Sequence, residues 1–251
     1  MSGHAAPPVD EFRAPRPIAG WRVVATAFWM AVFSWGLGFY SLSLYVHHLG
    51  EAGWPGALLS AATTGYFLLG AAAIHGVERA AARFGRRGVA IAGALLLAGG
   101  VAALPRAAHP AGLLAAYAAM ALGWAATSGT AISHVIGRWF EQRRGLALNL
   151  ALTGASASGF LVIPPMAWAV THWGLADGLA VLAGVMALVT IVTIARNLPE
   201  PIAAVSSPPV PGASVAPPAV RRDEPLTRVT LLFAIGWLAQ VAFLSQQVPL
   251  L

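Results

Sequence analysis

Cysteine and lysine are both absent from the 251-residue sequence, and charge of either sign is scarce. Without cysteine there can be no disulfide, iron–sulfur cluster or thiolate metal site. Without lysine every basic residue is arginine, which points to a bias in the coding DNA and carries no functional information. Charged residues make up 10% of the chain, where a soluble domain has about 25%. With 58% of the residues hydrophobic, the chain lacks the polar groups to cover a soluble surface, and a bilayer is the solvent that fits.

What charge there is has a strong sign: the formal net charge is +6 and the pI about 11.0. Such a balance also suits a nucleic-acid binder, so the position of each arginine decides. A hydrocarbon core about 30 Å thick needs roughly 20 apolar residues of helix. Seven stretches qualify, over 23–45, 57–75, 88–104, 112–136, 146–170, 175–194 and 229–251. The first is preceded by twenty polar and proline-containing residues and is too long to be the apolar part of a cleaved signal.

Arginines 13, 16 and 22 precede the first stretch; Arg79, Arg83, Arg86 and Arg87 follow the second; Arg138, Arg143 and Arg144 follow the fourth; Arg196, Arg221, Arg222 and Arg228 follow the sixth. Fourteen of the fifteen therefore fall on one side, and only Arg106 falls on the other. Nucleic-acid binding gives no reason for that alternation. The positive-inside rule does, and it puts the N-terminus and the even-numbered loops in the cytoplasm of a multi-pass protein of the cell membrane. Trp21 and Trp139 at inner edges, with Trp54 and Trp173 at outer ones, suit the aromatic belts.

The organisation expected is an all-α membrane protein: a disordered cytoplasmic N-terminus (1–20), a six-span unit (21–197), a flexible linker (198–227) and a seventh span (228–251). The linker holds eight prolines, too many for a packed element. Six spans, a linker and one more span form the layout of half a transporter followed by the start of a second half. On this reading the partner is either a missing C-terminal half or another copy of the chain.

Three segments carry a family resemblance: GWRVVATAF from Gly20, RFGRR from Arg83 to Arg87, and RWFEQRRGLAL…TGASASG…PP from Arg138 to Pro165. Together they resemble the major facilitator superfamily, and within it the monocarboxylate-transporter and oxalate/formate-antiporter-like branch. The resemblance implies two inverted three-helix repeats, a central cavity, and cytoplasmic gate contacts at Arg83, Gly85, Arg86, Arg87, Arg138, Arg143 and Arg144. It also implies a small organic solute, such as a monocarboxylate or related organic anion, with a co-transported proton as a further option. No cofactor is expected.

The chain departs from the family pattern after the second span, where Gly-x-x-x-Asp-Arg-x-Gly-Arg-Arg is usual. Alignment on Gly85 puts Ala82 at the aspartate and Glu78 at the first glycine. Either Glu78, one turn earlier, supplies the carboxylate, or the gate lacks its acid. Asn149 stands where glycine is common.

Small residues recur every fourth position at Ala121, Ala125, Gly129, Ser133 and Gly137, and at Ala147, Ala151, Ala155 and Gly159. Such rows let membrane helices approach closely. Polar stripes run through Ser34, Gly38, Ser41 and Tyr45, through Thr127, Thr130 and His134, and through Asn149, Thr153 and Ser156. Each hydroxyl alone could simply bond back to its own helix; together the stripes suggest a cavity lining. His134 is either a neutral histidine held at a helix end or a proton carrier.

His47, His48 and Glu51 are taken as a solvated outer loop, because adjacent imidazoles point apart and no fourth ligand is evident, so no metal is expected. GASASG lacks the Gly-Lys of a phosphate loop, and Ser158 replaces the glycine of a nucleophile elbow. The expectation is secondary transport by alternating access, not an enzyme. The alternative is a transport-incompetent half acting as a membrane interaction or sensor protein.

Overall fold

The computed structural model describes residues 17–137, 139, 140, 142–198, 231, 232, 235 and 236. Most of residues 1–20, Arg138, and nearly all of the expected linker and seventh span therefore lie outside the described residues. Within them the chain is helical: α1 (Pro17–Trp35), a π-helical turn (Gly36–Tyr40), α2 (Leu42–Glu51), α3 (Gly56–Phe84), α4 (Arg86–Ala103), a 3-10 turn (Leu104–Arg106), α5 (Pro110–Thr127), α6 (Gly129–Gly137), α7 (Arg144–Leu161) and α8 (Ile163–Asn197). Five continuous apolar stretches are long enough to cross a membrane: 20–51, 56–84, 86–106, 110–137 and 144–197.

The last stretch, at 54 residues, would measure about 80 Å if straight. It is folded back on itself. Gly174 has φ 80 and ψ 166, a conformation open almost only to glycine. Four residues later, a β carbon on Gly178 would sit 2.7 Å from the backbone of Ala169. The two arms of α8 are therefore in contact.

Helix packing follows small residues. α4 lies most extensively against α5, α1 against α7, and α3 and the second arm of α8 also pack on this framework. A β carbon on Gly123 of α5 would strike the backbone of Gly93 and Leu97 in α4, and one on Gly100 would come within 2.7 Å of the Ala116 carbonyl. In lipid, where hydrophobic burial gains little, such close backbone approach is a main source of association. Buried side chains form two clusters. One contains Leu37, Tyr45, Tyr66, Leu97, Tyr117 and Met166; the other contains Val23, Ala27, Met30, Ile132, Ile136 and Ala151 at the opposite end.

Two segments expected as loops are helical. α3 continues through Glu78, Arg79 and Arg83 to Phe84, leaving only Gly85, at φ 84, before α4. Alanine and arginine are strong helix formers, and a hydropathy window stops where the helix becomes polar. α2 likewise runs through His47, His48 and Glu51. Helical spacing brings both imidazoles to one carboxylate, with His48 Nδ1 3.0 Å and His47 Nε2 3.6 Å from Glu51. The two rings do not point apart as the sequence reading assumed. Among the described residues there is no cluster suited to a metal.

Candidate functional site

The first span is interrupted at mid-depth by the sequence Gly-Leu-Gly-Phe-Tyr, which forms the π-helical turn. A turn of this kind displaces backbone carbonyls from their usual partners and occurs often at functional positions. Here three carbonyls of the turn accept from hydroxyls. Ser41 donates to Gly36 O at 2.7 Å, Tyr45 to Leu37 O at 3.1 Å and Tyr66 of α3 to Gly38 O at 2.7 Å.

Glycine is required at two of these positions because neighbours fill the space. A β carbon on Gly36 would lie 2.5 Å from Val162, and one on Gly38 would lie 2.6 Å from the Trp124 ring. Val162 is itself the break between α7 and α8, with φ −111 just before the paired prolines. Trp124 sits one turn before Ser128, whose extended backbone (ψ −162) separates α5 from α6. On the far side of that break, a β carbon on Gly129 would lie 3.3 Å from the Trp35 ring. Three interruptions, in three different spans, thus meet at one level.

Aromatic side chains surround the junction. Trp124 lies 6.2 Å from both Trp35 and Tyr66, and Phe39 6.2 Å from Phe67, centroid to centroid. Trp35, Phe39, Phe67 and Trp124 are half-buried, so each presents part of its ring outward. The Trp124 indole N–H is buried without a hydrogen-bond partner, as is the Tyr117 hydroxyl. Buried donors nearly always have a partner, so Trp124 Nε1 is an available donor beside an irregular backbone.

The sequence-derived polar stripes do not converge on one cavity. Ser34, Ser41, Tyr45 and Thr127 are buried, and each hydroxyl donates to a carbonyl: Ser34 to Met30 O and Thr127 to Gly123 O at 2.7 and 2.8 Å. Thr130 is half-buried. Asn149, Thr153 and Ser156 lie on the open side of α7, where Thr153 donates to Leu150 O at 2.6 Å. The small-residue rows shift as well. Ala151 is fully buried and Gly154 meets the Phe28 carbonyl, whereas Ala155 is half-buried and nothing lies within 4 Å of a β carbon on Gly159.

A second polar centre lies at the arginine-bearing end. Glu78 of α3 reaches two partners: its Oε2 is 3.4 Å from Arg86 Nη2 and its Oε1 is 3.4 Å from His134 Nε2. Of the two readings of the missing aspartate, this contact favours the first, since the carboxylate meets an arginine of the RFGRR segment. His134 was legible as a lone ionisable group, but its pairing with Glu78 was not, because 56 residues separate them. Gly85 supplies the tight α3–α4 turn, Arg83 stacks on Phe84 at 5.4 Å, and Arg87 is half-buried. Arg143 precedes α7 and the Arg144 guanidinium rests on Gly137 at the end of α6, where a cation suits the helix dipole. Phe140, from the same segment, packs edge-on against Trp21 at 5.6 Å and so pins the start of α1.

Two further polar ties escaped sequence reasoning. Asn197 donates to Thr26 at 3.0 Å, joining α8 to α1. Arg106 donates to Ala176 O at 3.0 Å and pairs with Asp177 at 3.1 Å, joining the ends of α4 and α8's second arm. Only the presence of isolated polar residues at span ends could have hinted at either.

Comparison with known proteins agrees with this architecture. Monocarboxylate transporter 13 of Bos taurus is 28% identical over 113 residues, covering 45% of this chain and 26% of that protein. The chain thus spans about a quarter of that relative's length. The Major Facilitator Superfamily profile matches residues 9–251. By that match, over an all-helical chain with apolar spans and the RFGRR turn, the protein belongs to the major facilitator superfamily, a family of transporters.

Proposed function

We propose that this protein moves a small organic solute across the cell membrane by alternating access, with its N-terminus and even-numbered loops in the cytoplasm. One observation carries the reading. The first spans of the two expected inverted repeats, 20–51 and 110–137, are both interrupted, and the interruptions touch through Trp35, Trp124 and Gly129. Interrupted helices at corresponding positions of inverted repeats are the best sequence-readable pointer to a transporter's substrate site.

In this proposal the aromatic junction contacts the solute and Trp124 Nε1 donates to an acceptor on it. Glu78, Arg86 and His134 form the cytoplasmic gate with Arg83, Arg87, Arg143 and Arg144 around it; Arg138, also expected there, lies outside the described residues. A monocarboxylate or related organic anion is supported by the similarity to bovine monocarboxylate transporter 13 and by the free donor. Protonation of His134 would strengthen its contact with Glu78, which makes it the candidate for proton coupling. On this reading residues 20–197 make six crossings; the seventh span, expected over 228–251, lies almost wholly outside the described residues.

The test is uptake of labelled short-chain monocarboxylates by proteoliposomes containing the 251-residue chain, with and without an imposed proton gradient. Saturable flux that Trp124→Phe reduces supports the proposal. Binding without flux turns the reading to a sensor, and neither binding nor flux across a panel of organic anions and neutral solutes sinks it.

A further inference from the structure

α3 and α4 both pack against α5 but touch each other little. Between them runs an apolar groove of about 460 Å³, walled by Gly76, Val77 and Ala80 of α3 and Ala92 of α4, and floored by Leu122 and Ala126 of α5. Its width comes from missing side chains. A β carbon on Gly76 or on Gly88 would meet nothing within 4 Å. On the flanks, Leu68, Leu69, Leu95 and Leu96 are exposed, so the groove opens on the surface that an apolar solvent must cover.

The mouth has a different chemistry. Phe84 and Gly88 line the groove at the α3–α4 turn, and the Arg83 guanidinium lies over the Phe84 ring. Arg87 adjoins Gly88 and has no carboxylate partner among the described residues. The acid nearest in this turn, Glu78, is engaged by Arg86 and His134. The groove therefore ends in two cations that lack a described counter-ion, set at the depth of lipid headgroups. Basic sites between membrane helices on this side bind anionic headgroups.

We propose that this groove is a binding site for an anionic phospholipid of the arginine-side leaflet, with an acyl chain between α3 and α4 and the phosphate at Arg83 and Arg87. The site holds the α3–α4 turn from outside, on the face away from α5, and does not depend on the transport reading.

The test is native mass spectrometry of the full chain, purified in detergent and offered phosphatidylglycerol or phosphatidylcholine of matched chains. The expected result is preferential retention of phosphatidylglycerol. Arg83→Gln and Arg87→Gln should each reduce that preference by about fivefold. Gly76→Leu, which fills the groove, should reduce retention of both lipids by about tenfold while circular dichroism shows unchanged helicity. Should Gly76→Leu fold poorly, Gly88→Leu provides the same occlusion at the mouth. Equal retention of the two lipids, undiminished retention in both occluding variants, or release of the lipid by soluble glycerol phosphate alone would overturn the proposal.

Discussion

Glu78 stands midway between Arg86 and His134, 3.4 Å from each, and so ties α3 to α4 and to α6 through one carboxylate. All three side chains are partly exposed, His134 at 47%, so solvent screens the pairs. Glu78→Gln should lower unfolding stability by less than about 1 kcal/mol. On the proposed gate reading its effect on transport should be larger, because a contact present in one conformational state shifts the balance between states. A loss of about tenfold in uptake is expected. His134→Gln in the Glu78→Gln background should add little further loss, since both substitutions remove the same contact. Full uptake by Glu78→Gln, or additive losses in the double variant, would remove the cluster from the gate.

Tyr66 supplies the hydroxyl that satisfies Gly38 O in the first-span turn. Tyr66→Phe removes that hydroxyl bond in an apolar setting. The expected cost is about 1 kcal/mol, read as a lower melting midpoint in detergent. Ser34→Ala should cost less, because the Met30 carbonyl it contacts belongs to regular helix. If both variants melt together with the wild type, the π-helical turn does not depend on its hydroxyl caps.

The apolar spans and the one-sided arginines were legible because hydrocarbon thickness and headgroup charge act on composition, which a window along the chain reports. The interruptions were not, because the same window averages over five residues such as Gly36–Tyr40. Their effect on the polar stripe is specific. A face followed at 100° per residue assumes regular α-helix, and a π-helical turn inserts one residue, which rotates everything after it. A regular helix therefore puts Ser41 and Tyr45 on one face with Ser34, whereas the structure turns both onto carbonyls of the π-helical turn; Ser34, before the turn, bonds back to Met30 O. The Glu78–His134 contact depends on how α3 and α6 pack, and no local pattern encodes that.

The same limit applies to the row Ala147, Ala151, Ala155 and Gly159, since spacing of four drifts around a helix of 3.6 residues per turn. The face that packs runs through Ala147, Ala151, Gly154 and Ser158. Two glycine substitutions separate the readings. Gly154→Ala puts a methyl against the backbone carbonyl of Phe28, which cannot rotate away, and should destabilise by about 1–3 kcal/mol. Gly159→Ala meets open space and should be neutral or raise stability by up to about 1 kcal/mol through helix propensity. Melting midpoints that fall equally in both would show that α7 packs through Gly159 after all.

The absence of cysteine makes the orientation directly testable, since any introduced thiol is the only one. Ala82 is exposed near the end of α3, and Ala108 is exposed between the 3-10 turn and α5. The 18 residues of α4 separate the two regions, a rise of about 27 Å, which puts them at opposite faces of the membrane. Arg106 lies on the Ala108 side but is paired with Asp177, so it adds little net positive charge there. A membrane-impermeant maleimide added to intact cells should therefore label Ala108→Cys, and should label Ala82→Cys only after permeabilisation. Labelling of Ala82→Cys from outside would invert the topology and, with it, the assignment of the Glu78 cluster to the cytoplasmic gate.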